Sequence, residues 1–218
     1  MKGNYTSRDL VRLASSRCAG CGDCCRNMGD SIRLDPYDAY MLSFGLHKPF
    51  QKLIENEVGF SVANEQGLVL PHLQMKKVLR SATDDGQQAA WECTFLGADG
   101  KCRIHSVRPG VCRLFPLGRQ YGENGITYFD LEACDMPGKS KVRVDKWLGI
   151  PDLDDYHAFK EQWHSFCKRL SQRLAEEDQD TKSKINTLML HMFFMTAYDG
   201  DFYESFEVRR KQVEQILL

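Results

Sequence analysis

The chain has 218 residues, 42% hydrophobic and 27% charged, enough to bury a core without the disulfides that small secreted modules need. Basic and acidic residues nearly cancel, 29 against 30 for a net charge of −1, and they balance within each half, which removes support for sequence-independent nucleic-acid binding. No run of about 18 apolar residues is present to span a membrane, and the opening MKGNYTSRDLVRLASS lacks the apolar stretch of a secretory signal.

The reducing cytosol is therefore the expected compartment. There, nine cysteines, an odd number, point to metal binding or catalysis before disulfides. A protein partner is left open; a membrane is not expected, and nucleic acid is not favoured.

Along the chain, Ile32-Arg-Leu34 reads as a short strand. Asp35-Pro-Tyr-Asp38 then starts a helix, with Asp35 as N-cap, Pro36 at the first helical position and Asp38 in the first turn. Gly45 is placed to end it. Pro49 to Glu57 reads as a second, shorter helix, and residues 66–80 as extended chain. Trp91-Glu-Cys-Thr-Phe95 and Cys102-Arg-Ile-His105 flank Gly97-Ala-Asp-Gly100, a hairpin signal. Arg108 to Phe115 reads as a helical turn stopped by Pro116. Glu123-Asn-Gly125 joins two alternating segments through a tight turn.

Beyond Pro137-Gly138 the turn signals thin out, and three helices are expected. Tyr156, Phe159, Trp163, Phe166, Leu170 and Leu174 step by three or four; Ile185, Leu188, Met189, Met192 and Met195 form a second stripe; Phe202, Phe206, Val213, Ile216 and Leu217 form a third. The acidic run Glu176–Asp180 reads as the solvated loop between the first two. Met189–Met195 reads as packed core, His157 and His164 as ordinary helix residues, and Cys167 as a buried thiol. The fold class expected is α+β: an irregular, metal-organised cysteine-rich domain with short hairpins over 1–138, then a mostly helical region over 139–218 packed on it.

Eight cysteines fall in the first part. Cys18, Cys21, Cys24 and Cys25 form CAGCGDCC, and Cys93, Cys102, Cys112 and Cys134 follow at turns and strand ends. A C-x2-C-x2-C loop can wrap a soft metal or a cluster, with Gly20 and Gly22 permitting the turn. Neighbouring side chains diverge, so Cys24 and Cys25 are expected to address different metals or different edges of one centre. The eight divide into two four-thiolate sites, or into one cluster with spare thiols. Zinc and iron both accept tetrahedral sulfur. The loop spacing leans toward an iron–sulfur cluster, with zinc as the alternative. Arg103, Arg108 and Arg113 flank the second group and would offset thiolate charge.

The ordered combination CAGCGDCCR, then CTFLGADGKCRIHSVRPGVCRLFPLG, then Cys134 resembles the YkgJ-type CxxCxxCC family of cysteine-cluster proteins over roughly residues 15–138. The resemblance implies zinc or iron–sulfur binding, with the eight cysteines matching the family's eight. His105 stands where the family usually has Tyr; it adds a potential nitrogen ligand, although a hydrogen-bonding ring on a strand is the expected reading. Electron transfer, redox sensing or metal handling follow as functions. A similar cysteine domain in flagellin lysine N-methylases makes an S-adenosylmethionine-dependent protein lysine methyltransferase one alternative, and a structural zinc-binding interaction module another. Whether the chain is an enzyme stays open at this stage.

Overall fold

The computed structural model describes residues 2–14, 22–81, 87–134 and 137–218. The N-terminal part contains β1 (Lys2–Tyr5), β2 (Leu10–Ala14), a 3-10 turn at Asp23–Cys25, α1 (Pro36–Leu46) and α2 (Phe50–Leu53). Four strands follow: β3 (Val58–Val62), β4 (Val69–Leu73), β5 (Met75–Ser81) and β6 (Gln87–Cys93). After a 3-10 turn at His105–Val107 come α3 (Gly110–Leu114), β7 (Leu117–Gly122), β8 (Gly125–Asp130) and β9 (Lys139–Arg143). The chain closes with α4 (Val144–Leu148), α5 (Leu153–Ala175), α6 (Gln179–Leu190) and α7 (Phe202–Leu217). The class is α+β, with short antiparallel hairpins and a mostly helical C-terminal region.

Two compact units result, each discontinuous in sequence: Met1–Ala19 with Gly110–Ser165, and Gly20–Pro109 with Phe166–Leu218. The composition change at residue 138 falls inside the first of them, because β9 pairs antiparallel with β2, Leu10 opposite Arg143 and Ala14 opposite Lys139.

In the first unit, β2 alternates as a half-buried strand must: Val11 and Leu13 point inward, Leu10 and Arg12 outward. The Asn-Gly cue is met. β7 and β8 join through Glu123-Asn124, with Gly122 opposite Gly125 and Gly125 at φ 97°, and β1 adds to the far side of β8. The Trp147 indole donates to the Phe115 carbonyl at 3.2 Å, tying α4 to the end of α3. The histidines of α5 pack locally: Tyr128 Oη meets His157 Nε2 at 2.6 Å, and His164 stacks on Tyr121 with ring centres 4.0 Å apart.

In the second unit, α1 starts with a capping box, Asp35 accepting from Asp38 N at 2.9 Å and Asp38 from Asp35 N at 3.1 Å. Gly45 does not end the helix as expected. His47 does, in the left-handed region at φ 51°. Gly45 serves packing instead, since a Cβ there would lie 2.4 Å from Val107 Cγ1. The helix expected over 49–57 shortens to Phe50–Leu53, whose first and last residues are buried, and the chain turns to enter β3 at the buried Val58.

All six residues of the first helical stripe are buried. The Met-Phe run widens into a π-turn, His191–Met195, that buries Phe193 and Phe194. Asp178, in the acidic loop, caps α6 by accepting from Thr181 N at 2.8 Å. Buried Asn186 holds α6 to the β3–β4 loop: its Oδ1 accepts from Val69 N at 2.8 Å and its Nδ2 donates to Gly67 O at 2.9 Å. Cys167 is partly exposed rather than buried. It stands one position past Phe166 and thus off the buried stripe. No described helix is long and apolar enough to cross a membrane.

Candidate metal centre

The described part of the cysteine loop begins at Gly22, whose φ of 67° only glycine adopts freely. Cys25 N donates to Gly22 O at 2.9 Å, closing the turn. A Cβ on Gly22 would stand 2.8 Å from the Arg26 guanidinium, which therefore lies directly against the loop.

The loop is pinned to β6 immediately after the turn. Arg26 forms an antiparallel bridge with Glu92 and an ion pair to it at 3.0 Å. Asn27 N donates to Trp91 O at 2.8 Å, and Trp91 N donates back to Asn27 Oδ1 at 3.2 Å. One step back from Arg26 and one forward from Glu92, the antiparallel run leads Cys25 toward Cys93.

Cys24 and Cys25 do not diverge. Their sulfurs stand 3.9 Å apart, against about 3.8 Å for two thiolates bonded at about 2.3 Å to one tetrahedral ion. The pair lies in the 3-10 turn Asp23–Cys25, and the two side chains meet there rather than separating as expected. The mutual contact raises the Cys24 thiol far above its ordinary range, burial adding to it, while the Arg108 guanidinium draws it the other way. A cation bound to the sulfurs would favour the Cys24 thiolate against that shift.

Cys93 closes β6, opposite Met75 of β5. The expected hairpin between 91–95 and 102–105 contracts to a tight loop, because Trp91–Cys93 are committed to β5. Leu96 and Cys102 bridge across it, with Gly97 N donating to Lys101 O and Arg103 N to Phe95 O, each at 2.9 Å. Burial pushes the Cys93 thiol up, and the Cys102 thiol adds to that, so the two sulfurs are electrostatic neighbours. His105 sits on the following 3-10 turn, not on a strand, with its ring Nε2 against the Arg108 guanidinium. Arg103 holds the loop by donating to Thr94 O at 2.6 Å.

The second unit thus gathers Cys24 with Cys25, and Cys93 with Cys102. Cys112 on α3, beside Arg113, and Cys134 beyond β8 belong to the first unit. Cys18 and Cys21 lie outside the described residues. Among the described residues, no three histidines, cysteines or acids stand close enough together to hold a metal ion. The donor chemistry nonetheless fits a soft metal: sulfurs at the spacing of a tetrahedral edge, flanked by guanidinium groups. The sequence reading missed Arg26, Asn27 and Glu92. Arg26 directly follows the cysteine run, but its partner is 66 residues away, and no local pattern announces such a pairing.

Thiols clustered on a turn, clamped to a strand that carries another, define a cysteine-rich metal-binding protein. Residues 17–135 match the model of the CxxCxxCC family, described as a "putative zinc- or iron-chelating domain". The match covers more than half of the chain, which belongs to that family. No curated protein and no solved structure matches it.

Proposed function

We propose that the chain is an iron–sulfur protein of the cytosol that passes or senses electrons, with Cys18, Cys21, Cys24, Cys25, Cys93, Cys102, Cys112 and Cys134 as the candidate ligands. The observation that carries the reading is the 3.9 Å separation of the Cys24 and Cys25 sulfurs, on a loop clamped beside Cys93. Four-cysteine clusters spread one thiolate per iron in the four-iron form and two per iron in the two-iron form. The close pair favours an arrangement in which both thiolates share one ion. Once bound, such a centre supplies one-electron chemistry at a potential set by nearby charge and hydrogen bonds. Around it, Arg108 and Arg26 bring positive charge toward the loop, and the turn at Gly22 holds the sulfurs in place. A protein redox partner is the natural counterpart.

The same close pair favours a second reading, a closed zinc site that stabilises the fold and serves interaction. Metal and acid-labile sulfide analysis on anaerobically purified protein separates the two. Iron with comparable sulfide and a reducible visible chromophore is the expected result. Stoichiometric zinc without sulfide would overturn the iron–sulfur reading and leave the zinc one.

A further inference from the structure

Beside the cysteine loop, the second unit carries a groove of about 540 Å³, within the range of small-molecule sites. Trp91, Phe60 and Met75 line it, together with Gly29 and Gly59. Trp91 is 50% exposed, whereas Trp147 and Trp163 are 8% and 6% exposed. An indole left this open in a folded unit is a stacking platform without a partner ring: no ring contact to Trp91 is present among the described residues. Trp91 and Cys93 lie two apart on β6, so they share a face of the β5–β6 hairpin. The groove therefore runs along the face that carries a thiol of the candidate centre.

Three polar side chains also line the groove, and each has spent one atom on the backbone. Gln74 Nε2 donates to Val58 O at 3.1 Å, leaving Oε1 as an acceptor. Asn27 Oδ1 is taken by Trp91 N, leaving Nδ2 as a donor. His72 Nδ1 lies 3.1 Å from the carbonyl oxygen of Leu73, which only accepts a hydrogen bond, so Nδ1 is an N–H and Nε2 is the ring nitrogen left for a ligand. A Cβ at Gly59 would stand 3.0 Å from that Nε2, tighter than ordinary contact, so glycine there leaves the ring edge clear.

We infer that this groove binds a flat heteroaromatic ring system bearing N–H donors and at least one acceptor on its edge, stacked on Trp91. A purely apolar ring would leave Gln74, Asn27 and His72 without partners as water is expelled, which costs more than the stacking gains. The inference does not depend on which metal the cysteines hold, and its failure would leave the metal reading untouched.

Calorimetric titration of the full-length, metal-loaded protein with riboflavin, adenosine and guanosine tests it, with naphthalene-2-sulfonate as the ring without N–H donors. Saturable binding of at least one of the three heterocycles is expected. Trp91→Ala should weaken it about tenfold or more, and Trp91→Phe should restore most of it. The clamp to Asn27 uses only the backbone N–H and C=O of residue 91, so both variants should keep their metal. Absence of saturable binding by all three, unchanged affinity in Trp91→Ala, or equal affinity for naphthalene-2-sulfonate would overturn the proposal.

Discussion

Two sulfurs 3.9 Å apart on consecutive residues limit what can lie between them. As thiols, one can donate its S–H to the other; as thiolates they repel unless a metal ion joins them. Each of Cys24 and Cys25 is therefore expected to matter as much as the other. Cys24→Ser and Cys25→Ser should each lose most bound metal in anaerobic preparations. Cys167→Ser should retain it, since Cys167 lies on α5 with its carbonyl engaged by Ser171 Oγ at 2.7 Å. Full metal content in either single variant of the pair, or loss in Cys167→Ser, would show the ligand set to be drawn wrongly. The eight cysteines stand out in the sequence because their spacing is local, but their grouping does not: the structure puts Cys24 and Cys25 in one unit with Cys93 and Cys102, and Cys112 and Cys134 in the other. The convergence of Cys24 and Cys25 is not legible either, because it depends on a turn set by Gly22 and on a clamp between Arg26 and Glu92 that no local pattern encodes.

At the scale of elements, what was readable is what short-range chemistry decides. The α1 cap, the Glu123-Asn124 turn and the α5 stripe follow from spacing within a few residues, whereas the later stripes hold in part: Phe202, Phe206 and Val213 of α7 are buried but Ile216 is 65% exposed, and past α6 Phe193 and Phe194 are buried in place of Met192 and Met195. β9 was hidden: its five residues, Lys-Ser-Lys-Val-Arg, are mostly exposed, so no apolar alternation marks a strand whose partner lies more than a hundred residues earlier. The end of α1 was misread for a related reason. Gly45 looked like a stop signal, but its small size answers a tertiary need, contact with Val107. Asn186 is a further case, a polar residue in a helix whose three hydrogen bonds, to Val69 N, Gly67 O and Lys182 O, include two to a distant loop. Removing its amide strands buried backbone groups, which costs about 1–3 kcal/mol. Asn186→Ala should lower the thermal midpoint of the metal-loaded protein by several degrees while leaving metal content unchanged. An unchanged midpoint would show that the clamp contributes nothing net.

At the scale of the whole molecule, the chain divides its cysteines between two discontinuous units, Cys24, Cys25, Cys93 and Cys102 in one and Cys112 and Cys134 in the other. Each unit has its own apolar core, Tyr128, Trp147 and Phe159 among the core residues of the first and Leu42, Phe166 and Phe206 among those of the second. Metal binding is therefore not needed to replace a core, as it is in the smallest zinc modules. Among the described residues, Arg26 and Asn27 anchor the glycine-containing loop to β6. The account stands on thiolate sulfur as the metal's ligand. X-ray absorption at the edge of the bound metal, on anaerobically purified full-length protein, measures that directly. A first shell made up of sulfur at about 2.3 Å is the expected result, and a shell dominated by nitrogen or oxygen would contradict it.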